Sequence, residues 1–317
     1  MEPGADEVVF DAPEHFRIYK SGRIDRFHRP VLVDAGVHDA TGVASRDVVL
    51  DAGTGLSARL FLPNLQGNPK KKLPILVYFH GGGFIIESAA STTYHNYLSS
   101  LAATAGVLAV SVDYRLAPEH PLPAAYDDCW AALRWAVSSA RDNDDEWVAA
   151  HGDAARVFVA GDSAGGNIVH NVLVRMAGDE LAPRIEGAVL LHPFFGGTAA
   201  IDGETERAVE IAVKVWGFAC PDAVNGADDP RFNAAAPGNA SRLQHLGCDR
   251  MLVCAAEKDW LAPRVREYYG AVTASAWRGS AAWLETEGEE HVFFLLKPEC
   301  DRAKALMDRV VAFIAAA

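Results

Sequence analysis

A glycine–serine–glycine pattern lies where an apolar segment of the chain gives way to an amphipathic one. Ser163 stands between Gly161 and Gly165, after a predicted strand at Arg156–Ala160 and before a predicted helix at Ala164–Ala177. A serine at such a strand-to-helix turn has a strained backbone, and its flanking positions leave no room for side chains. Its hydroxyl is exposed at the N-terminal end of the helix, where the next amide can face a developing negative charge. The pattern therefore predicts a nucleophile for acyl transfer.

Three consecutive glycines follow another apolar segment. The sequence His80-Gly81-Gly82-Gly83-Phe84 comes directly after the predicted strand Pro74–Phe79. Glycines at this place let the backbone lie against a bound substrate with its N–H groups converging. A phosphate-binding loop or a plain turn is the alternative, but no Gly-Lys-Ser/Thr follows to support phosphate binding. Together with the serine, the triplet indicates an oxyanion hole, in which each donor contributes about 2.7–4 kcal/mol.

The general base should be a histidine, and the expected chain order of nucleophile, acid and base restricts the choice. Four of the eleven histidines follow Ser163, namely His170, His192, His245 and His291. His170 lies in the helix that starts at the nucleophile, and His192 precedes any plausible acid. His245 falls in a segment without regular pattern. Only His291 follows a strand and leaves room for an acid, so it is the predicted base.

The predicted acid is Asp259. Both Asp259 and Glu257 follow the predicted strand Met251–Ala256, and the carboxyl ends of parallel strands face the ligand-binding crevice. Glu257 lies closer to the strand, but Asp259 is better placed in the loop, and aspartate is usual where the reach to the imidazole is short. A lone aspartate or histidine is most often a surface residue or a helix cap. Three residues in this order at strand ends argue against coincidence.

Buried strands and helices alternate along most of the chain, which predicts a parallel sheet with right-handed crossovers and helices on both faces. An antiparallel edge hairpin is predicted from Val48–Leu50 and Leu56–Leu62. The further predicted elements are strands at Val107–Val112, Gly187–Leu191 and Ala282–Thr286 and helices at Thr92–Ala105, Ala124–Ala140, Pro263–Ala274 and Cys300–Ala315.

Two segments fall outside this alternation. Residues 1 to about 45 mix aromatic, charged and turn-forming residues without a sustained period, which predicts an ordered but irregular arm. Residues 194 to about 245 contain one helical stretch, Glu204–Trp216, among prolines and glycines. An insertion into an α/β fold usually lies over the edge of the sheet where ligands bind. We therefore expect a single domain, residues 1–317, with an active site capped by both segments.

Composition limits the partners of the chain. A net charge of −13 repels phosphate backbones and anionic lipid, which argues against binding to nucleic acid or membrane surfaces. No run of about 18 apolar residues occurs, and the acidic start of the chain differs from a signal peptide. The five cysteines are widely spaced and include no Cys-x-x-Cys pair, which predicts free thiols in a reducing compartment. We expect a cytoplasmic location and neither a metal nor a cofactor.

With these residues placed, the chain resembles the plant carboxylesterases of the hormone-sensitive-lipase-like branch of the α/β-hydrolases. The resemblance covers nearly the whole chain. It is carried, in order, by Phe16–Arg23, His80–Phe84, Asp113–Pro121, Gly161–Asn167, Asp228–Pro230, Ala256–Trp260 and Gly288–Phe293. It implies an α/β-hydrolase fold and a catalytic triad of Ser163, Asp259 and His291. It also implies an oxyanion hole formed by the N–H groups of Gly82, Gly83 and Ala164.

The resemblance implies hydrolysis of small to medium apolar carboxylic esters, and it keeps two alternatives open. Gibberellin receptors share the fold but lack the triad histidine, so His291 argues against a receptor. Isoflavanone dehydratases use a similar oxyanion hole to eliminate water, and the sequence excludes them poorly. The candidates for an apolar substrate pocket are Phe84, Ile85, Trp216, Trp260 and Val292. The oligomeric state receives no prediction.

Overall fold

An eight-stranded, mostly parallel sheet forms the centre of the computed structural model, which describes residues 6–12, 15–65, 67, 70, 72–179 and 181–316. The strands are β1 (Val8–Ala12), β2 (Phe16–Tyr19), β3 (Ile24–Arg26), β4 (Ala44–Asp51), β5 (Leu56–Leu62), β6 (Leu73–Phe79), β7 (Leu108–Asp113), β8 (Gly152–Asp162), β9 (Ile185–Leu191), β10 (Cys248–Ala256) and β11 (Ser280–Thr286). The large sheet has the order β11-β10-β9-β8-β6-β7-β5-β4. At one edge, β5 pairs antiparallel with both β4 and β7, and the β4–β5 pair is the hairpin that the pattern predicts.

Helices connect the parallel strands. They are α1 (Thr92–Ala105), α2 (Ala124–Asp142), α3 (Glu146–His151), α4 (Ala164–Met176), α5 (Glu206–Ala219), α6 (Ala240–Leu243), α7 (Ala262–Ala274), α8 (Phe293–Leu296) and α9 (Asp301–Ala315). The short helices α3, α6 and α8 are absent from the sequence prediction, because four to six residues are too few to show a helical period. Within the ranges described, no helix is long and apolar enough to cross a membrane.

Two hydrophobic cores lie on opposite faces of the sheet. Alternate residues of a strand point to opposite faces, and β6 shows this directly. Ile75 and Val77 pack in a core with residues of α2, α4 and α7, whereas Leu76 and Tyr78 pack in a second core with residues of α1 and α9. Because β6 is buried on both faces, its sequence is a continuous apolar run. The predicted α/β class is confirmed.

The N-terminal arm differs from its prediction, although residues 1–5 and 13–14 lie outside the described part of it. Instead of being irregular, it forms an antiparallel sheet from β1, β2 and β3. These strands have three to five residues, which is too short for an alternating pattern to be recognised. Phe16 is buried against Ile85 and Ala117, which ties the arm to the segment after the glycine triplet.

The insertion is organised around α5. Its first turn is capped by Thr205, whose hydroxyl accepts a hydrogen bond from Ala208 N at 3.1 Å. Trp216 is buried and stacks on Phe232, with ring centroids 4.8 Å apart and planes at 5°. Phe218 lies on another side of the helix and contacts Phe10 of the arm, at 3.7 Å between ring centroids. The arm and the insertion therefore pack against each other.

One buried histidine, His170 on α4, gives the fold a pH dependence. Its Nδ1 lies 3.0 Å from the hydroxyl of Tyr268, and its ring meets Phe195 edge-on. Burial, with a smaller effect from Arg242, lowers the pKa of His170 to about 3. Below about pH 6.5 the unfolded chain takes up a proton at this position that the native protein does not bind. Its contribution to stability is complete above that pH and is lost as the pH falls.

We expect His170→Leu to flatten the acid side of the stability profile. Urea unfolding at several pH values between about 6 and 4 should show a free energy of unfolding that depends less steeply on pH, by about 1.4 kcal/mol per pH unit. Near pH 8 the ring is neutral in both the folded and the unfolded state. The difference in free energy of unfolding between the variant and the parent protein at that pH therefore measures the change in packing alone. Equal slopes for the variant and the parent protein would contradict the assignment.

Candidate active site

Ser163 occupies a tight turn between β8 and α4. Its backbone has φ 51° and ψ −117°, a conformation that non-glycine residues rarely adopt. Ser163 N donates to Leu191 O at 2.9 Å, and Ser163 O accepts from Phe194 N at 2.8 Å. A Cβ atom on Gly165 would lie 1.9 Å from Phe79 O, so the glycine allows the helix to start directly against β6. The turn therefore has the geometry that the glycine–serine–glycine pattern predicts.

A chain of hydrogen bonds joins the three residues predicted to act together. Ser163 Oγ lies 3.0 Å from His291 Nε2, and His291 Nδ1 lies 2.7 Å from Asp259 Oδ2. Because the carboxylate only accepts, Nδ1 carries the proton and Nε2 is free to accept from the serine. Asp259 is buried, and its Oδ1 accepts from Leu261 N at 2.9 Å. This arrangement can move the serine proton to the imidazole while the carboxylate stabilises the positive ring.

Glu257, the rival acid, has a different place. Its carboxylate accepts a hydrogen bond from Gly288 N at 2.7 Å, in the loop that precedes His291. It therefore supports the backbone of that loop, whereas Asp259 contacts the ring itself.

The glycine triplet lies beside the serine in a conformation that needs glycine. Gly82 and Gly83 have φ 98° and 63°, and Gly82 O accepts from both Ile85 N and Ile86 N at 3.0 Å. A Cβ atom on Gly82 would lie 2.3 Å from Ile86 O. Within the described residues, the amides of Gly82, Gly83 and Ala164 have no acceptor. These donors are available to a ligand oxygen.

Asp162 connects the two motifs, although the sequence analysis gives it no part. Its buried carboxylate accepts from the hydroxyls of Tyr78 and Tyr94, both at 2.8 Å. Tyr94 Oη in turn accepts from Gly81 N at 2.7 Å. Burial raises the pKa of Asp162 to about 6, although both tyrosine hydrogen bonds oppose the change. The residue before the nucleophile thus holds the first glycine of the triplet.

A cavity of about 320 Å³ opens at Ser163. Most of its wall is apolar. It is lined by Gly82, Gly83, Ile86, Glu87, Thr93, Tyr94, Asp162, Ser163, Phe194, Val215, Trp260, His291, Val292, Leu295 and Leu296. Two of the predicted pocket residues, Trp260 and Val292, are among them.

Three predicted pocket residues lie elsewhere, and this corrects the sequence analysis. Phe84 and Trp216 are each 1% exposed and form part of the core. Ile85 is buried against the N-terminal arm. The sharp turn at the glycines brings the chain back on itself, so Phe84 and Ile85 are packed inward, whereas Ile86 and Glu87 reach the cavity. Phe84 supports the wall indirectly, because its ring lies 6.3 Å from that of Phe194.

One group among the described residues has donor atoms close enough to hold a metal ion. It consists of His192, Asp259 and His291, with ligand atoms within 4.8 Å of one another. All three already make hydrogen bonds: Asp259 and His291 to each other, and His192 Nδ1 to the amide of Val292 at 2.9 Å. The expectation that the protein uses neither metal nor cofactor stays a prediction.

Residues 76–295 match the family described as the alpha/beta hydrolase fold, and the chain belongs to that family. The structure is similar to that of EstE1, a thermostable carboxylesterase cloned from a metagenomic library. The TM-score is 0.69 and the identity 27%, over 89% of this chain and 90% of EstE1. The sheet order and the position of the serine agree with this membership.

Several plant enzymes are similar to the chain in sequence. Tuliposide A-converting enzyme 1 of Tulipa gesneriana is 47% identical, over 98% of this chain and 78% of the relative. The 2-hydroxyisoflavanone dehydratase of Glycyrrhiza echinata is 42% identical, over 97% and 96%. Probable carboxylesterase 4 of Arabidopsis thaliana is also 42% identical, over 98% and 84%. The predicted resemblance to plant carboxylesterases is confirmed, and with it the expectation of an enzyme of this class.

The same relatives contradict the expected cytoplasmic location. Tuliposide A-converting enzyme 1 is chloroplastic, and enzyme b1 of the same name is amyloplastic. The expectation depends on the acidic start of the chain and on free cysteines. Neither feature distinguishes the cytoplasm from the interior of a plastid.

The contact between Gly165 and β6 gives a direct test of the turn. Gly165→Ala would press a methyl group onto Phe79 O, so the turn must shift and move the serine hydroxyl. We expect at least about a hundredfold loss of kcat on 4-nitrophenyl butyrate, because displacements near 1 Å have costs of that order. Gly270→Ala, on α7 with open space around it, is the matched control and should keep full activity. Activity retained in Gly165→Ala would show that the turn is not constrained as described.

Proposed function

We propose that the protein hydrolyses small to medium apolar carboxylic esters through an acyl-enzyme formed on Ser163. The observation that carries this proposal is the continuous hydrogen-bonded path from Ser163 Oγ through His291 to Asp259, at the wall of an apolar cavity. Membership of the α/β-hydrolase family and the carboxylesterase relatives support it.

In the first half of the reaction, His291 Nε2 takes the proton of Ser163 as Oγ attacks the ester carbonyl carbon. The carbonyl oxygen becomes an oxyanion, to which the amides of Gly82, Gly83 and Ala164 can donate. Asp259 stabilises the imidazolium that forms. The tetrahedral intermediate then collapses, and the alcohol leaves with the proton that His291 returns to it.

In the second half, water replaces the serine as the nucleophile. His291 removes a proton from the water as its oxygen attacks the acyl carbon, and the same amides face the second oxyanion. Collapse of this intermediate releases the carboxylic acid and returns the proton to Ser163. Each group is restored, so the cycle needs no other reactant.

In this proposal the arm and the insertion, with approximate limits of 1–45 and 194–245, form a cover over the cavity, of which residues 1–5 and 13–14 lie outside the described part. Val215 of α5 lines the cavity, and the contact between Phe10 and Phe218 joins the two segments. The cover limits the size of the ester, but it contributes none of the three residues Ser163, Asp259 and His291.

A dehydratase is the second candidate. The observation in its favour is the 2-hydroxyisoflavanone dehydratase relative, whose identity of 42% extends over 96% of its own length. The same amides that face an ester oxyanion could face the carbonyl oxygen of a substrate that loses water. The two candidates differ in product, since only the hydrolase releases an acid and an alcohol.

We expect the wild-type protein to hydrolyse 4-nitrophenyl acetate or butyrate without an added cofactor. Ser163→Ala should abolish at least about 99.9% of this activity, because removal of a triad nucleophile costs several orders of magnitude. Labelling by an organophosphate should disappear in the same variant. An unchanged circular dichroism spectrum would show that the fold is intact.

The alternatives give different results in the same experiment. Labelling that persists at another serine would contradict the assignment of the nucleophile. Turnover of a 2-hydroxyisoflavanone with a higher kcat/KM than any ester would favour the dehydratase. Tight binding of an acidic diterpenoid without any ester turnover would favour a receptor.

A further inference from the structure

His192 is a buried histidine that the proposed reaction does not use. It follows β9 directly, its backbone lies in the left-handed region at φ 48°, and its side chain has no solvent exposure. Its amide donates to Cys254 O at 2.9 Å, so the backbone continues the pairing of β9 with β10. The position is therefore rigid, and it lies at the sheet edge that carries Ser163 and Asp259.

The side chain of His192 makes one hydrogen bond among the described residues, and that bond reaches the residue after His291. Val292 N donates to His192 Nδ1 at 2.9 Å. Val292 has φ 46° and ψ 31°, and a β-branched residue in this left-handed region is strained by about 1–3 kcal/mol. The loop that presents His291 thus contains a strained residue whose amide is held by the buried ring.

The ring can serve only as an acceptor in this bond. An amide N–H donates, so Nδ1 must carry the lone pair and the proton must be on Nε2. Burial first, then the nearby His291, lower the pKa of His192 to about 3, so the acceptor persists at all pH values of an ordinary assay. The ring is wedged between Phe293 and Phe294, at centroid distances of 5.8 Å and 5.6 Å.

His192 does not substitute for either triad partner. Its Nδ1 is 4.0 Å from Asp259 Oδ2, which is too long for a hydrogen bond, and its ring centroid is 6.0 Å from that of His291. The hydrogen bond from Val292 N is the link that His192 makes to the backbone next to His291.

We propose that His192 is a positioning residue: its Nδ1 holds the strained Val292 amide and thereby fixes the imidazole of His291 between Ser163 and Asp259. This inference rests on the proposed function. The buried ring has two roles that can be tested separately. Packing against the phenylalanines needs only the shape of the ring, whereas positioning needs its acceptor atom.

Two substitutions separate these roles. His192→Phe keeps an aromatic ring for packing and removes the acceptor. His192→Asn keeps an acceptor oxygen close to the place of Nδ1 and gives up most of the packing. We expect His192→Phe to lower kcat on 4-nitrophenyl butyrate by about tenfold to a hundredfold, the order of cost for a misplaced catalytic group. KM should change by less than about threefold, because the cavity wall is kept.

The order of the two variants is the decisive result. His192→Asn should retain kcat within about fivefold of the parent protein even if its melting temperature is lower. A ring needed only for packing would give the opposite order, with the phenylalanine variant both more stable and more active. Rates are expressed per active site titrated with an organophosphate, so that a partly folded preparation does not distort the comparison.

His170 provides the matched control, since it is equally buried and lies on α4 without contact to the triad. His170→Phe and His170→Asn should differ in stability and share the kcat of the parent protein. The proposal is overturned if His192→Phe keeps its kcat, or if His192→Asn loses as much as His192→Phe. If His192→Phe is insoluble, His192→Leu takes its place, with the same expected order. Absence of ester turnover in the parent protein would instead contradict the proposed function itself.

Discussion

The close contact between Gly165 and the end of β6 is the constraint on which the site depends. Because no Cβ atom stands between Gly165 and Phe79 O, α4 begins against the sheet and the turn at Ser163 becomes sharp enough to expose the hydroxyl. The same strand leads into the glycine triplet, so the backbone that packs on the serine turn also sets the position of the free amides. The nucleophile and the donors are therefore placed by one contact, between the start of α4 and the end of β6.

Hydrogen bonds to a buried carboxylate form a second link between the serine turn and the glycine triplet. Asp162 lies in a fully buried position and accepts from Tyr78 and Tyr94, and Tyr94 holds the amide of Gly81. A buried carboxylate without partners would cost several kcal/mol, so these donors are obligatory for the fold. The cost of burying the charge explains why the pKa of Asp162 rises to about 6 despite its donors. Asp162 therefore stabilises the backbone next to the nucleophile through hydrogen bonds.

Much of the fold and the arrangement of Ser163, Asp259 and His291 could be predicted, because each depends on local pattern and on the order of strand ends. The features that the sequence does not predict depend on tertiary contacts. Tyr78 reads as one more apolar residue of a buried strand, and nothing in its neighbourhood indicates a hydrogen bond to Asp162. Phe84 follows the glycines as a pocket residue would, yet the turn packs it into the core. Chain order excludes His192 as the base, but it says nothing about an acceptor role.

Burial protects four of the five cysteines from oxidation. Cys129, Cys220, Cys248 and Cys254 are buried, and burial raises the pKa of each thiol, to about 12 for Cys254. Oxidation and disulfide exchange proceed through the thiolate, which these sites disfavour, and through contact with solvent. Their reduced state is therefore a property of the hydrophobic core. Unpaired cysteines of this kind therefore carry no information about the redox conditions in which the protein works.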